Sequence, residues 1–220
     1  DSAVHTTGAN VEQWTMTDLD ADRQYVFQVS ATFGEYESVE TDAHTAWTLA
    51  NTPVAPLIST PTINSLSVAI NTEDGNATET VYAIRITPFA EDKQWVQANG
   101  SLGVAPVWRS AAAWGTRSVT GLSSATQYAF AVTARGQAGV ETDEGPAASA
   151  YTQCILQYAA DANGAVSGDA LQAVNYGENG TPVEAVPNLG YAFDEWDDGV
   201  EDNPRQDMAV TGNINVEARF

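Results

Sequence analysis

The chain has 220 residues, 43% of them hydrophobic, and sets eight Lys and Arg against twenty-nine Asp and Glu for a formal net charge of −21. That balance argues against nucleic acid and anionic lipid as partners, because both are bound through Lys and Arg that neutralise phosphates. The length suits two or three domains. No apolar run reaches the roughly 18 residues that a membrane helix needs, so no direct membrane insertion by a helix is expected. No apolar period of a helix persists for three turns and Thr, Val, Ala and Gly are frequent, so the fold class expected is all-β.

The first legible element is a segment written twice. Leu19-Asp-Ala-Asp-Arg-Gln-Tyr25-Val-Phe27-Gln-Val29-Ser-Ala31 recurs as Leu122-Ser-Ser-Ala-Thr-Gln-Tyr128-Ala-Phe130-Ala-Val132-Thr-Ala134, and Ala46-Trp47-Thr48 recurs as Ala150-Tyr151-Thr152. A period of about a hundred residues is that of a domain, since solenoid units run to about 20–50. In each copy the alternation places Tyr25, Phe27, Val29 and Ala31, or their counterparts, on one face of a strand. Gly34 marks a turn, and residues 38–48 read as the strand that follows. The first copy has too little chain before Leu19 to supply the other strands, and Asp1 is not an initiator Met, so the expectation is that preceding residues or a neighbouring chain supply them. An open apolar face would otherwise be an aggregation hazard.

Asn51-Thr-Pro53-Val-Ala-Pro56 reads as a semi-rigid linker, because its prolines lack ladder donors and favour extended backbone. Strands are expected at 63–70 and 81–86, then a long crossing at 94–108, then strands at 118–120, 127–134 and 141–152, at the regular spacing of a β-sandwich. Leu122, Thr126 and Tyr128 followed by alternating Phe130, Val132 and Ala134 resemble the E–F corner and strand F of a fibronectin type III domain. In that corner the Tyr hydroxyl bonds to upstream backbone and the ring packs on the Leu. Arg23 stands where the pattern favours Thr, and the family's strand B tryptophan is not evident.

From Cys154 the character changes. Gly190-Tyr191-Ala-Phe193-Asp-Glu-Trp196, then Asp198-Gly199, then Asn203-Pro204-Arg205 resemble, in order and spacing, the divergent internalin-type B-repeat of bacterial surface proteins. The resemblance implies a small β-rich module, β-grasp-like in fold, without enzyme activity. The division expected is residues 1–52 as the C-terminal half of a fibronectin type III-like domain, 53–152 as a complete one in tandem with it, and 153–220 as the B-repeat.

Candidate chemistry is sparse. His5 and His44 have no nucleophile motif beside them, so no enzyme and no catalytic residue is expected. Asp194, Asp197, Asp198, Glu201 and Asp202, with Asp207, crowd one loop of hard oxygen ligands that suit calcium, the one cofactor considered. The loop is not an EF-hand, since with Gly199 at the sixth position Trp196 falls on a ligand and Arg205 on the final Glu. The alternative is a solvated turn held by Asn203, Pro204 and an ion pair of Arg205 with Asp207. Trp95 and Trp108 are candidates for carbohydrate stacking, against a reading in which they cover a sandwich edge. Tyr191 and Trp196 read as core, by alternation with Phe193. Cys154, the single cysteine, is either a small buried hydrophobe or the site of an intermolecular disulfide.

The resemblances imply a non-catalytic segment of a secreted protein, extracellular or on the bacterial cell surface: a stalk, adhesin or fibre scaffold. Its expected partners are adjoining modules or other copies of the same protein, and cell-surface glycans. The alternative is a set of accessory modules of a polysaccharide-degrading enzyme, and a third reading is a filament subunit joined through Cys154 or an open sheet edge.

Overall fold

The computed structural model describes residues 4–8, 11, 13–87 and 94–220, and Asp1 lies outside them. In the first segment β1 (Gln24–Phe27) pairs antiparallel with β4 (His44–Trp47), and between them β2 (Thr32–Phe33) and β3 (Tyr36–Glu37) form a hairpin. The hairpin turns at Gly34, whose φ of +63° is open to a residue without a Cβ. This is a ribbon and not a closed sandwich: Tyr25 and Phe27 are half-buried, and Val29 is 66% exposed.

The middle segment runs β5 (Leu57–Ser59), β6 (Ser65–Ala69), β7 (Val81–Thr87), β8 (Gln94–Val96), β9 (Leu102–Gly103), β10 (Arg109–Ser110), α1 (Ala111–Trp114), β11 (Arg117–Thr120), β12 (Gln127–Arg135) and β13 (Ala148–Tyr151). One sheet has the order β11-β6-β5 and the other β13-β12-β7-β8-β9, with β10 also on β7. Alternation does the sorting: Leu66, Val68, Ile84, Ile86, Val119, Phe130 and Val132 are all buried between the sheets. Trp114 closes the end of this core, its indole Nε1 donating to Tyr82 O at 2.8 Å. The four-residue helix that carries it, an Ala run capped by Ser110 Oγ, is too short to leave a period in the sequence.

The last segment has β14 (Cys154–Ala160), β15 (Gly164–Ser167), β16 (Leu171–Val174), β17 (Glu184–Pro187) and β18 (Ile214–Ala218). Its sheet is β16-β14-β18, with the first and last strands parallel, and β15 pairs with β17 beside it. Cys154, Leu156, Tyr158, Val183, Trp196, Val210 and Val216 form its own core.

The sequence repeat is reproduced bond for bond. Asp20 N donates to the Tyr25 hydroxyl at 2.9 Å, as Ser123 N does to Tyr128 at 3.0 Å, so the expected tyrosine corner is present in both copies. Thr48 Oγ1 donates to Asp20 O and accepts from Arg23 N, and Thr152 Oγ1 repeats this with Ser123 O and Thr126 N. At the far end Ser38 N donates to Ala31 O as Thr142 N does to Ala134 O.

Candidate functional site

The corner shared by the two copies is also where each copy meets its successor. Asp22 and Ala125 occupy the same place in the repeat and both adopt a φ of 51°, a left-handed conformation that pushes the residue out of the strand direction. Asp22 is 1% exposed. Its Oδ2 accepts from Thr80 Oγ1 at 2.6 Å and its Oδ1 from Gln137 N at 2.6 Å, so both oxygens are spent on loops of the middle sandwich. A Cβ at Gly136 would lie 2.6 Å from Asp22 Oδ1, which makes glycine a requirement of this contact. The linker is drawn in as well: Asn51 and Asn76 exchange hydrogen bonds of 2.6 and 3.0 Å, and Pro53 and Pro56 are buried. The semi-rigid linker expected from its prolines is therefore a docked one, held by residues that only the tertiary fold brings near.

At the second joint Ala125 packs against the core of the last segment and its N–H donates to Gln153 O. The neighbouring Ser124 Oγ accepts from Asn213 Nδ2 at 2.7 Å, and Tyr151 stacks on Tyr176 with ring centroids 3.7 Å apart and planes at 16°. The same corner thus makes a polar lock at one joint and an apolar seat at the next.

The acidic loop of the last segment is organised around a cation that the chain itself supplies. Arg205, with 5% of its side chain exposed, holds both oxygens of Asp198 at 2.8 Å and grips Asp207 at 2.8 and 3.0 Å. Its guanidinium lies 5.5 Å from the Trp196 ring and 6.0 Å from Tyr158, whose hydroxyl donates to Asp207 at 2.6 Å. Asn203 continues the pattern, its amide accepting from Ala185 N and donating to Ala185 O, both at 2.8 Å, like an extra residue of sheet ladder on β17. The Arg205 hydrogen bonds hold the Asp198 carboxyl below the usual range. Burial pushes Asp207 up, but Arg205 and Tyr158 outweigh it and the net shift is downward.

The fold does not gather the calcium candidates into one cluster. Among the described residues no three of His, Cys, Asp and Glu are placed to hold a metal ion. The Asp198 carboxylate is taken by Arg205 and that of Asp197 accepts from Glu217 N, while Asp194 and Asp202 are held through their backbone, by Arg219 O and the Trp196 indole, and Glu201 is exposed. The ion pair read from the sequence is present but buried.

The sugar candidates are also re-placed. Trp95, half-buried on β8, stands opposite Arg85 on β7, and half-buried Trp108 carries the Arg135 guanidinium 4.1 Å above its ring. Their geometry is that of side chains covering a sheet, with Trp108 already stacked. His5 lies 4.7 Å from Trp14, ring to ring, and His44 is exposed on β4.

Residues 155–220 match the family model of the divergent InlB B-repeat domain. The last segment is a B-repeat domain. No curated protein matches the chain. Among solved structures, domains d3–d4 of the rat CD45 extracellular region align over 69% of this chain and 76% of that one, at 18% identity and a TM-score of 0.41. The sixth fibronectin type III domain of human fibronectin type III domain containing protein 3 aligns over 47% and 85%, at 16% and 0.34. Likenesses this distant add nothing to the assignment of the middle segment, which rests on its strand order and tyrosine corner.

Within the B-repeat domain the signature residues divide into core, cradle and turn. Trp196 is fully buried, but Tyr191, expected in the core, is 53% exposed. The alternation behind that expectation fails because Gly190, at φ +93°, turns the chain and no strand covers the residues after it. Cys154 is fully buried, its Sγ 3.7 Å from Val210 O, and burial pushes its thiol up. A disulfide to a second chain would require opening the core, so the hydrophobe reading holds.

The two depressed carboxyls give a pH dependence with a definite sign. Their folded values lie below the unfolded ones, so their contribution is complete above an unfolded value of about 3.9 and disappears as pH falls through the folded values. The B-repeat domain is expected to lose stability below about pH 4, and thermal melts between about pH 6 and pH 3 should follow Asp198 and Asp207. Asp198→Asn should flatten that profile.

Proposed function

We propose that this stretch serves as a stiff, non-catalytic spacer in an extracellular protein of a bacterial cell surface. The B-repeat family is one of bacterial surface proteins and is typically non-catalytic, which supports the location. The observation that carries the spacer role is the pair of joints, in which the same corner of the repeat is turned outward and packed against the next module. A joint held by hydrogen bonds to a buried carboxylate resists bending, whereas a bare linker leaves each module free. The net charge of −21 keeps such a rod soluble and discourages lateral association. Its natural neighbours are adjoining modules of the same protein, presented at a distance from the cell. Antibodies against residues 57–152 should label intact cells of the source bacterium without permeabilisation. Labelling that appears only after permeabilisation would count against the location.

A further inference from the structure

The two joints differ at one ring position, and the difference leaves a site. Tyr151 and Trp47 occupy equivalent places, each opposite a glutamine, Gln127 or Gln24, on the outer face of its strand pair. Tyr151 is capped face to face by Tyr176 of the next module. Trp47 has no ring over it among the described residues and is 40% exposed. It borders a crevice of about 400 Å³ between the first segment and the middle sandwich, lined otherwise by Asp22, Arg23, Gln24, Glu79 and Gln137.

We propose that this crevice binds a neutral glycan through a sugar ring stacked on Trp47. A pyranose has an apolar C–H face that suits an indole and a rim of hydroxyls that need donors and acceptors. The rest of the lining supplies them. Arg23 and Glu79 stand 3.9 Å apart with side chains 53% and 61% exposed, beyond hydrogen-bond distance of each other and open to a ligand. Gln24 flanks the indole from the paired strand, and Gln137 is fixed by its own bonds to Asp22 and the Glu79 carbonyl. A partner protein's aromatic ring would fill the seat but make no use of these exposed polar groups, which suit a ligand rimmed with hydroxyls. Glu79 and the acidic surface turn away uronic or sialic acids. The volume lies at the lower end of small-ligand pockets, enough for about one or two sugar rings. The site belongs to the joint and rests on that joint being closed, but not on the chain serving as a spacer.

The test is an NMR titration of the whole chain, reading the tryptophan indole N–H signals against cellotriose, laminaritriose, mannotriose and chitotriose. At least one of these is expected to shift the Trp47 signal, identified by its absence in Trp47→Ala, with a Kd near about 1 mM, as befits a shallow site. Trp47→Ala should weaken binding about tenfold and Gln24→Ala about threefold, while Trp95→Ala leaves it unchanged. Trp47→Phe keeps a platform and should retain most of the binding, which separates loss of stacking from loss of fold. The proposal is overturned if no trisaccharide moves the Trp47 signal, if binding survives Trp47→Ala, or if N-acetyl-tyrosinamide moves it where all four sugars fail.

Discussion

Replacing Arg205 by leucine is expected to unfold the B-repeat domain while the middle sandwich remains intact. The guanidinium is the centre of a buried cluster in which Asp198 and Asp207 each make two contacts with it and Tyr158 makes one with Asp207. Leucine would fill part of the volume but leave the Asp207 carboxylate, with 16% of its side chain exposed, without a counter-charge. Breaking a buried pair from one side costs about 3–5 kcal/mol, because the remaining charge is neither solvated nor matched. A domain of this size has a stability near the low end of about 5–15 kcal/mol, so most of it would be lost. Arg205→Lys should recover little, since an ammonium cannot grip two carboxylates through a planar fork. Differential scanning calorimetry separates the outcomes: the transition of residues 154–220 should fall or vanish and that of 57–152 should stay. An unchanged pair of transitions would mean that the cluster is decoration.

Asp22→Ala is expected to release the first joint without touching the second. It removes both acceptors that satisfy Thr80 Oγ1 and Gln137 N, in a place that is 1% exposed. Hydrogen bonds to a charged group contribute about 1.5–3 kcal/mol each, and their loss here leaves the buried Thr80 hydroxyl and the Gln137 N–H without their acceptor, so the joint should weaken by about 3 kcal/mol. Gly136→Ala attacks the same contact from the other side, since its Cβ would come within 2.6 Å of Asp22 Oδ1 and 3.3 Å of Ala50 Cβ. Trypsin cleavage after Arg23 reports the opening. In Gly136→Ala, where the cleavage site itself is unaltered, it should speed at least about tenfold, corresponding to about 1.4 kcal/mol or more of lost coupling. Asp22→Asn, which keeps one acceptor oxygen, should fall between the parent and alanine.

The comparison of sequence with structure divides along the range of the interactions. The repeat, the tyrosine corner and the B-repeat signature were legible because each is a local spacing of residue types: Tyr25 bonds to Asp20 and Tyr128 to Ser123, five residues away in both copies. The joints were not legible. Asp22 finds its partners 58 and 115 residues further on, and nothing about a single aspartate in a turn distinguishes a buried lock from a solvated surface group. What could have drawn notice is the substitution inside the repeat itself, where Asp22 in one copy corresponds to Ala125 in the other while the flanking Gln and Tyr are kept. The acidic loop shows the same limit: counting carboxylates gives the ligand chemistry but not the direction in which Arg205 folds back. Trp95 and Trp108 stand out in the sequence as aromatics in a long crossing, whereas the ring left uncapped at a joint is Trp47, whose status follows from the missing counterpart of Tyr176.

The central claim is that the modules are locked and not merely tethered. Backbone amide residual dipolar couplings of the whole chain in a weakly aligning medium test it most directly. Couplings from β1 and β4, from β5–β13 and from β14–β18 should fit one common alignment tensor, with the first group departing from it in Asp22→Ala. Separate tensors of different magnitude for the three groups in the parent chain would contradict the claim, and the spacer reading would fall with it.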